Sequence, residues 1–127
     1  MPPVADIEAI QRNVHAFTDA ASRSRARWQK KLEAAAVAGR RVVAWGASSK
    51  GVGVLTALEA GRTVGSVVDI NPYKQGRFMP GTGQEIVAPE SLPSEPPDLV
   101  IVMNPIYLDE ITLDLASRNL FPEIVAV

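Results

Sequence analysis

Cysteine is absent from the chain, and His15 is its only histidine. Without cysteine there are no disulfides, no thiolate zinc sites and no cysteine nucleophiles. A single histidine also excludes a histidine-rich metal site. Glu85, Asp109 and Glu110 have no partner histidine, cysteine or metal cluster, and such isolated carboxylates are usually helix-face or capping groups. We therefore expect neither a metal site nor a catalytic residue.

Long apolar runs and an excess of one charge are absent as well. No apolar run approaches the roughly 20 residues that cross a bilayer. The N-terminus also lacks the basic and then apolar regions of a signal peptide. The formal net charge of −1 provides no bulk attraction to nucleic acid or to an anionic membrane. We expect a cytoplasmic protein with no nucleic-acid or membrane partner.

Glycine and proline are also missing from residues 6–38, where helix-forming residues dominate. Gly39 is a suitable terminator for a helix over this span. Such a helix would be about 50 Å long, which exceeds the roughly 30 Å diameter of a domain of this size. Its first half must project, bend back or pack on another chain or domain, and we expect a homo-oligomer through it. The apolar or small residues of its stripe are Ile7, Ile10, Val14, Phe17, Ala21, Ser24, Trp28, Leu32 and Ala35.

The most informative stretch is 41–51, Arg-Val-Val-Ala-Trp-Gly-Ala-Ser-Ser-Lys-Gly. A short apolar strand, Arg41–Trp45, is followed by a turn of glycine and serine and then by a helix that runs to Gly61. The turn leaves backbone N–H groups free at the helix start, where the dipole and the Lys50 ammonium favour an anion. The glycines do not follow the G-x-G-x-x-G or G-x-x-x-x-G-K-[ST] spacing, so a purely structural turn stays an open alternative. The candidate phosphate-binding residues are Gly46, Ser48, Ser49, Lys50 and Gly51.

A second predicted strand, Thr63–Asp69, ends in an acid. Asp69 follows Gly46 by 23 residues, close to the offset of roughly 20 residues at which dinucleotide-binding folds place a ribose-binding carboxylate. Asp69 is therefore a candidate ribose ligand. The next segment, Ile70–Ile86, contains two prolines and three glycines, which exclude a regular element of any length. A loop this long within a domain is usually functional or disordered.

The remaining segments alternate between strands and helices. We predict a short strand at Glu85–Val87, a buried strand at Asp98–Met103, a helix after it and a last strand at Phe121–Val127. This alternation predicts an α/β fold, a Rossmann-like doubly wound parallel sheet preceded by the long N-terminal helix. The lead-in and long helix occupy residues 1–39, and the Rossmann-like domain occupies residues 40–127.

Two polar residues follow the fourth predicted strand. Ligands of open parallel sheets bind beyond the carboxyl ends of the strands, where the strand order reverses. Asn104 and Tyr107 are therefore candidates to line a crevice together with the Gly46–Gly51 turn. In the alternative interpretation, Asn104-Pro105 simply ends the strand.

Two runs of the sequence resemble a known family. They are Trp-Gly-Ala-Ser-Ser-Lys-Gly at 45–51 and the segment 68–82 with its Lys-Gln-Gly and Pro-Gly, and Pro97-Asp98 and Asp109-Glu110-Ile111 add to them. Together they resemble the C-terminal domain of S-adenosylmethionine-dependent C-methyltransferases, best known from deoxysugar biosynthesis, over almost the whole chain. The resemblance implies a Rossmann-like domain that helps hold a nucleotide sugar against a separate catalytic domain. It assigns Gly46, Ser48, Lys50 and Gly51 to the ligand-facing loop, and Asp69, Lys74, Gln75 and Gly76 to a second signature.

The resemblance also indicates what this chain leaves to another domain. In that family the methyl-donor site and the catalytic base lie in a preceding methyltransferase domain, and a cysteine-ligated zinc domain comes earlier still. The resemblance therefore implies S-adenosylmethionine on a separate methyltransferase domain, in the same or another chain. We expect no cofactor on this chain alone and no methyl transfer by it, although it would belong to a transferase as part of a longer protein.

Three hypotheses about function remain open. The first is a substrate-binding domain of the C-methyltransferase type, which takes a nucleotide sugar or another small anionic ligand. The second is a stand-alone nucleotide- or small-molecule-binding Rossmann domain with Asp69 as the ribose ligand. The third is an assembly module that acts through the Ile7–Ala35 stripe. A methyltransferase domain encoded upstream in the same frame would favour the first hypothesis over the second.

Overall fold

Five parallel strands form one sheet in the computed structural model, which describes residues 22–127. Helix α1 covers residues 22–37 of this part. The strands are β1 (Val42–Trp45), β2 (Ser66–Val68), β3 (Ile86–Val87), β4 (Leu99–Val102) and β5 (Glu123–Ala126), and the further α-helices are α2 (Ser49–Ala57) and α3 (Leu108–Ser117).

The order of the strands in the sheet is β3-β2-β1-β4-β5, and every neighbouring pair is parallel. A parallel sheet in this order, with helices on both faces, is the Rossmann arrangement. The predicted Rossmann-like, doubly wound sheet is therefore confirmed. From β1 the chain moves to one side for β2 and β3, then crosses back to the other side for β4 and β5. The strand order therefore reverses between β1 and β4.

Strands β1 and β4 are buried along their whole length. The apolar run at 98–103 predicts this burial for β4. One face of the sheet packs against α1 and α2 through Leu32 and Leu55. The other face packs against α3 through Ile111 and Leu115. Each of these four side chains is at most 5% exposed. Full burial of such a side chain contributes about 1.5–3 kcal/mol, so the sheet and the helices stabilise one another.

Helix α1 lies against the sheet along one stripe. Leu32 and Ala35 are buried, and Trp28 packs partly buried against the same core, as their spacing predicts. Gly39 has a φ of +70° and ends the helix, also as predicted. The earlier stripe residues, 7–21, lie outside the described residues. The full length predicted for the helix and its association with another chain therefore stay predictions.

The segment after α2 differs from the sequence prediction. The helix ends at Ala57 instead of continuing to Gly61, and Glu59–Thr63 forms a 3-10 helix. The chain turns back so closely onto α2 that a Cβ on Gly61 would lie 2.1 Å from the Leu55 carbonyl oxygen. Gly61 was predicted to end the helix. In the structure a glycine is required at this position because any side chain would collide with the backbone of α2.

The predicted loop between β2 and β3 is ordered. The Met79 N–H donates to the Gln84 carbonyl at 2.8 Å, and Phe78 pairs with Glu85 in an antiparallel bridge. Met79 is buried, which anchors this hairpin to the core. Further 3-10 helices cover Pro89–Ser94 and Pro105–Tyr107, and the second of these leads into α3. Within residues 22–127, no helix is both long and apolar enough to cross a membrane.

Candidate functional site

A cleft of about 530 Å³ opens at the carboxyl ends of β1 and β4. This is the point at which the strand order reverses, where open α/β sheets bind their ligands. Its floor is apolar and its walls carry polar and acidic side chains. The cleft is lined by Trp45, Gly46, Ser48, Asp69, Ile70, Val102, Met103, Asn104, Tyr107, Glu110, Ile111 and Asp114.

The turn between β1 and α2 depends on two glycines. Gly46 has a φ of +120°, and its N–H donates to the Val68 carbonyl at 2.8 Å. A Cβ on Gly51 would lie 2.3 Å from the Gly46 carbonyl oxygen. Gly46 and Gly51 therefore serve the close turn and the helix-to-strand contact, the roles of the first and last glycines of G-x-G-x-x-G. Ser48 stands at the middle position, which is why the glycine spacing did not match in the sequence.

The first turn of α2 presents unpaired donors. Within residues 22–127, the backbone N–H groups of Ser49, Lys50 and Gly51 make no hydrogen bond, and the Ser48 side chain makes no capping bond. Lys50 is exposed and makes no ion pair with the described residues. A helix start with free N–H groups and an adjacent ammonium is a favourable place for an anion.

Asp69 holds the backbone of this turn. Its Oδ2 accepts the Ala47 N–H at 2.9 Å, and its Oδ1 accepts the Asn71 N–H at 2.8 Å. Lys74 Nζ donates to the Ala47 carbonyl at 3.3 Å, so the Ala47 peptide is held from both sides. Gln75 Nε2 donates to the Asp69 carbonyl at 2.8 Å. Residues of the second signature therefore hold the backbone of the Gly46–Gly51 turn, the first signature, in place.

The α3 wall of the cleft is acidic. Asn104 Oδ1 accepts the Ile106 N–H at 3.3 Å, which leaves its amide N–H₂ group for other partners. Tyr107 is 50% exposed. Asp114 pairs with Arg118 at 2.6 Å, whereas Glu110 makes no such contact within the described residues. The sequence interpretation treated Glu110 as a helix-face or capping carboxylate and not as a residue of the site, and its place in the cleft follows from the start of α3 at Leu108.

The candidate residues divide into two groups. The structure brings five of them together around the cleft, namely Gly46, Ser48, Asp69, Asn104 and Tyr107. Six others lie outside its lining, namely Ser49, Lys50, Gly51, Lys74, Gln75 and Gly76. Contact of either group with a ligand stays a prediction. Within residues 22–127, no three histidine, cysteine or acidic side chains are placed to hold a metal ion.

A family model for the C-methyltransferase C-terminal domain matches residues 6–119. The chain belongs to this family. The match spans the sheet from β1 to β4 and all of α3, and it confirms the resemblance inferred from the runs at 45–51 and 68–82. No curated protein sequence matches the chain.

Solved structures similar to this C-methyltransferase C-terminal domain share its fold. Two are crystal structures of RSP, one described as a Rex-family repressor and one in complex with beta-NAD+ and operator DNA. Their TM-scores are 0.52 and 0.51, with 13% sequence identity and 69% of this chain covered in both cases. The chain spans about half of their length, 52% and 49% respectively. At this identity the likeness supports the fold alone.

Proposed function

We propose that this C-methyltransferase C-terminal domain binds a nucleotide sugar in the cleft between β1 and β4 and presents it to a separate methyltransferase domain. The observation that carries the proposal is that the family's two sequence signatures meet at this cleft, where the Asp69 carboxylate accepts the Ala47 N–H. In this proposal the diphosphate lies at Ser48–Lys50. The sugar reaches toward Asn104 and Tyr107.

The charges around the turn support this direction. The free N–H groups of α2, its dipole and the Lys50 ammonium all favour an anion at the helix start. Asp69 would repel a phosphate placed close to it, although it remains suited to a ribose hydroxyl because each carboxylate oxygen has a second lone pair. The phosphates therefore belong at the α2 side, away from the carboxylates.

The partner in this proposal is a methyltransferase domain that binds S-adenosylmethionine, in the same or another chain. Exposed apolar side chains fit such a partner, since Ile70 lines the cleft and is 73% exposed, and Ile106, next in sequence to the lining residue Tyr107, is 76% exposed. The chain alone holds no cofactor in this proposal and acts in the cytoplasm. We expect no methyl transfer above background when the purified chain is incubated with labelled S-adenosylmethionine and nucleotide sugars.

The test is titration of the full chain with UDP by calorimetry. Replacing Lys50 removes the cation at the helix start, so Lys50→Ala should weaken binding about fivefold, the effect of one charge contact in water, and reduce its salt dependence. Lys30→Ala is the matched control, because Lys30 is also exposed but lies on α1. Equal affinities for wild type and Lys50→Ala would show that the turn does not bind the phosphates.

A second candidate is a stand-alone dinucleotide-binding domain. The fold shared with RSP, whose structure contains beta-NAD+, favours it, as does the position of Asp69 at the end of β2. Against it, the family model for the C-methyltransferase C-terminal domain covers residues 6–119, whereas the likeness to RSP, at 13% identity, supports the fold alone. Titration with NAD+ separates the candidates, because the first proposal expects UDP-sugars to bind and NAD+ not to bind.

A further inference from the structure

Three carboxylates and no lysine or arginine line the cleft between β1 and β4. Asp69 lies on the β2 side, and Glu110 and Asp114 lie one helical turn apart on α3. The floor beneath them is apolar, with Trp45 and Met103 buried. Any group that enters the cleft therefore meets negative charge on two sides and no cation in its lining.

The three carboxylates differ in the contacts that they already make. Asp69 accepts two backbone N–H groups, and Asp114 pairs with the Arg118 guanidinium. Glu110 is exposed and makes no hydrogen bond or ion pair with residues 22–127. Its carboxylate is therefore the acceptor most open to a ligand. Asp109 and Glu110 both lie in the first turn of α3. The positive end of the helix dipole therefore faces two carboxylates and does not neutralise the charge of Glu110.

We infer that the cleft takes an uncharged, hydroxyl-bearing sugar and discriminates against a sugar that carries a carboxylate, with Glu110 as the specificity-determining residue. This inference rests on the proposed function, in which the diphosphate stays at the α2 side. A sugar hydroxyl donates to Glu110, and the Asn104 amide and the Tyr107 hydroxyl supply neutral partners beside it. A uronic acid would instead place its carboxylate beside Glu110, which makes no ion pair within residues 22–127, and no lysine or arginine of the cleft lining would compensate the added charge.

The test compares UDP-glucose with UDP-glucuronate, which differ in the oxidation state and charge of one sugar carbon. Both are titrated by calorimetry into the full chain, with UDP as the probe of the diphosphate site. We expect UDP-glucuronate to bind about fivefold more weakly than UDP-glucose, the effect of one unscreened like-charge contact in water. In Glu110→Gln the difference should shrink to less than about twofold, because the nearest carboxylate is removed.

Asp109→Asn is the matched control, since it removes one negative charge from the same turn at a residue that does not line the cleft. It should retain the preference for UDP-glucose. If UDP binds and the two sugar nucleotides bind equally to the wild type, the inference is wrong and the proposed function stands. A preference that survives in Glu110→Gln overturns the role of Glu110. If neither UDP nor the sugar nucleotides bind, both the inference and the proposed function fail.

Discussion

A single carboxylate, Asp69, connects the two sequence signatures of this domain. It accepts the Ala47 N–H from the β1–α2 turn and the Asn71 N–H from the loop after β2. Hydrogen bonds to a charged acceptor contribute about 1.5–3 kcal/mol each. The residue that the sequence suggested as a ribose ligand is therefore also a structural support for the turn.

Replacing Asp69 by asparagine should destabilise the fold. The asparagine has one acceptor oxygen, so its N–H₂ group would face either the Ala47 or the Asn71 N–H and leave that donor unpaired. We expect Asp69→Asn to lower the free energy of unfolding by about 1–2 kcal/mol in urea titrations. Asp109→Asn, an exposed change of the same kind, should lower it by less than about 0.5 kcal/mol. Equal stabilities of the two variants would contradict the support that Asp69 gives to the turn.

Glu123 is a second residue whose charge matters for the fold. Lys31 within α1 and Arg40 just after Gly39 both contact it at 2.9 Å and join this part of the chain to the start of β5. The hydrogen bond from Lys31, and then that from Arg40, lowers the pKa of Glu123 below its ordinary value. A lowered pKa means that the stabilisation is present above the ordinary pKa and is lost as the pH falls through the lowered one.

Glu123→Gln should therefore reduce the melting temperature near pH 7 and reduce it less at strongly acidic pH, because the stabilisation by the carboxylate is lost as the pH falls through the lowered pKa. Thermal unfolding of both proteins at the two pH values measures this. Glu95→Gln is the control, because Glu95 pairs with Arg41 at a more exposed position, with 75% of its side chain accessible. A wild-type advantage that is the same at both pH values would contradict the role of the Glu123 carboxylate.

Among the elements, α2 is placed by its contact with the preceding turn. Gly51 lies so close to Gly46 that a methyl group would meet the carbonyl oxygen at 2.3 Å, whereas a methyl group on Gly53 would meet nothing within 4 Å. Gly51→Ala must push the helix away from β1 and should destabilise the fold by about 1–3 kcal/mol. Gly53→Ala should stabilise it by about 0.5–1 kcal/mol, because alanine favours helix. Urea unfolding of both variants measures the contrast, and loss of stability in both would contradict it.

The elements also show what the sequence can and cannot predict. Local patterns sufficed to predict the five strands and the helix end at Gly39. A run of β-branched residues and a glycine at a left-handed helix end are signals that a few consecutive residues carry. The end of α2 and the order in the β2–β3 loop depend on distant contacts, such as Gln84 Nε2 donating to the Gly61 carbonyl. The glycine spacing indicated a turn, but the contact of Asp69 with Ala47 required the strands to be placed side by side.

At the scale of the whole molecule, the long helix is expected to join two chains. If residues such as Ile7 and Phe17 are buried in that contact, each contributes about 1.5–3 kcal/mol. Sedimentation should therefore show association of the full chain and a monomer for a variant lacking residues 1–20. Leu113→Ser, at an exposed position on α3, is a control that should still associate. A full chain that stays monomeric at high concentration would contradict the prediction.

The central claim is that the family's two signatures form one nucleotide-sugar site at the carboxyl ends of β1 and β4. The most direct measurement is a titration of the isotope-labelled chain with UDP-glucose, followed through the backbone amide shifts. The claim predicts the largest shifts at Ala47–Val52, together with shifts at Asn104 and Tyr107. Shifts confined to the exposed cations between Arg23 and Lys31 on α1, with none at Ala47–Val52, would contradict it.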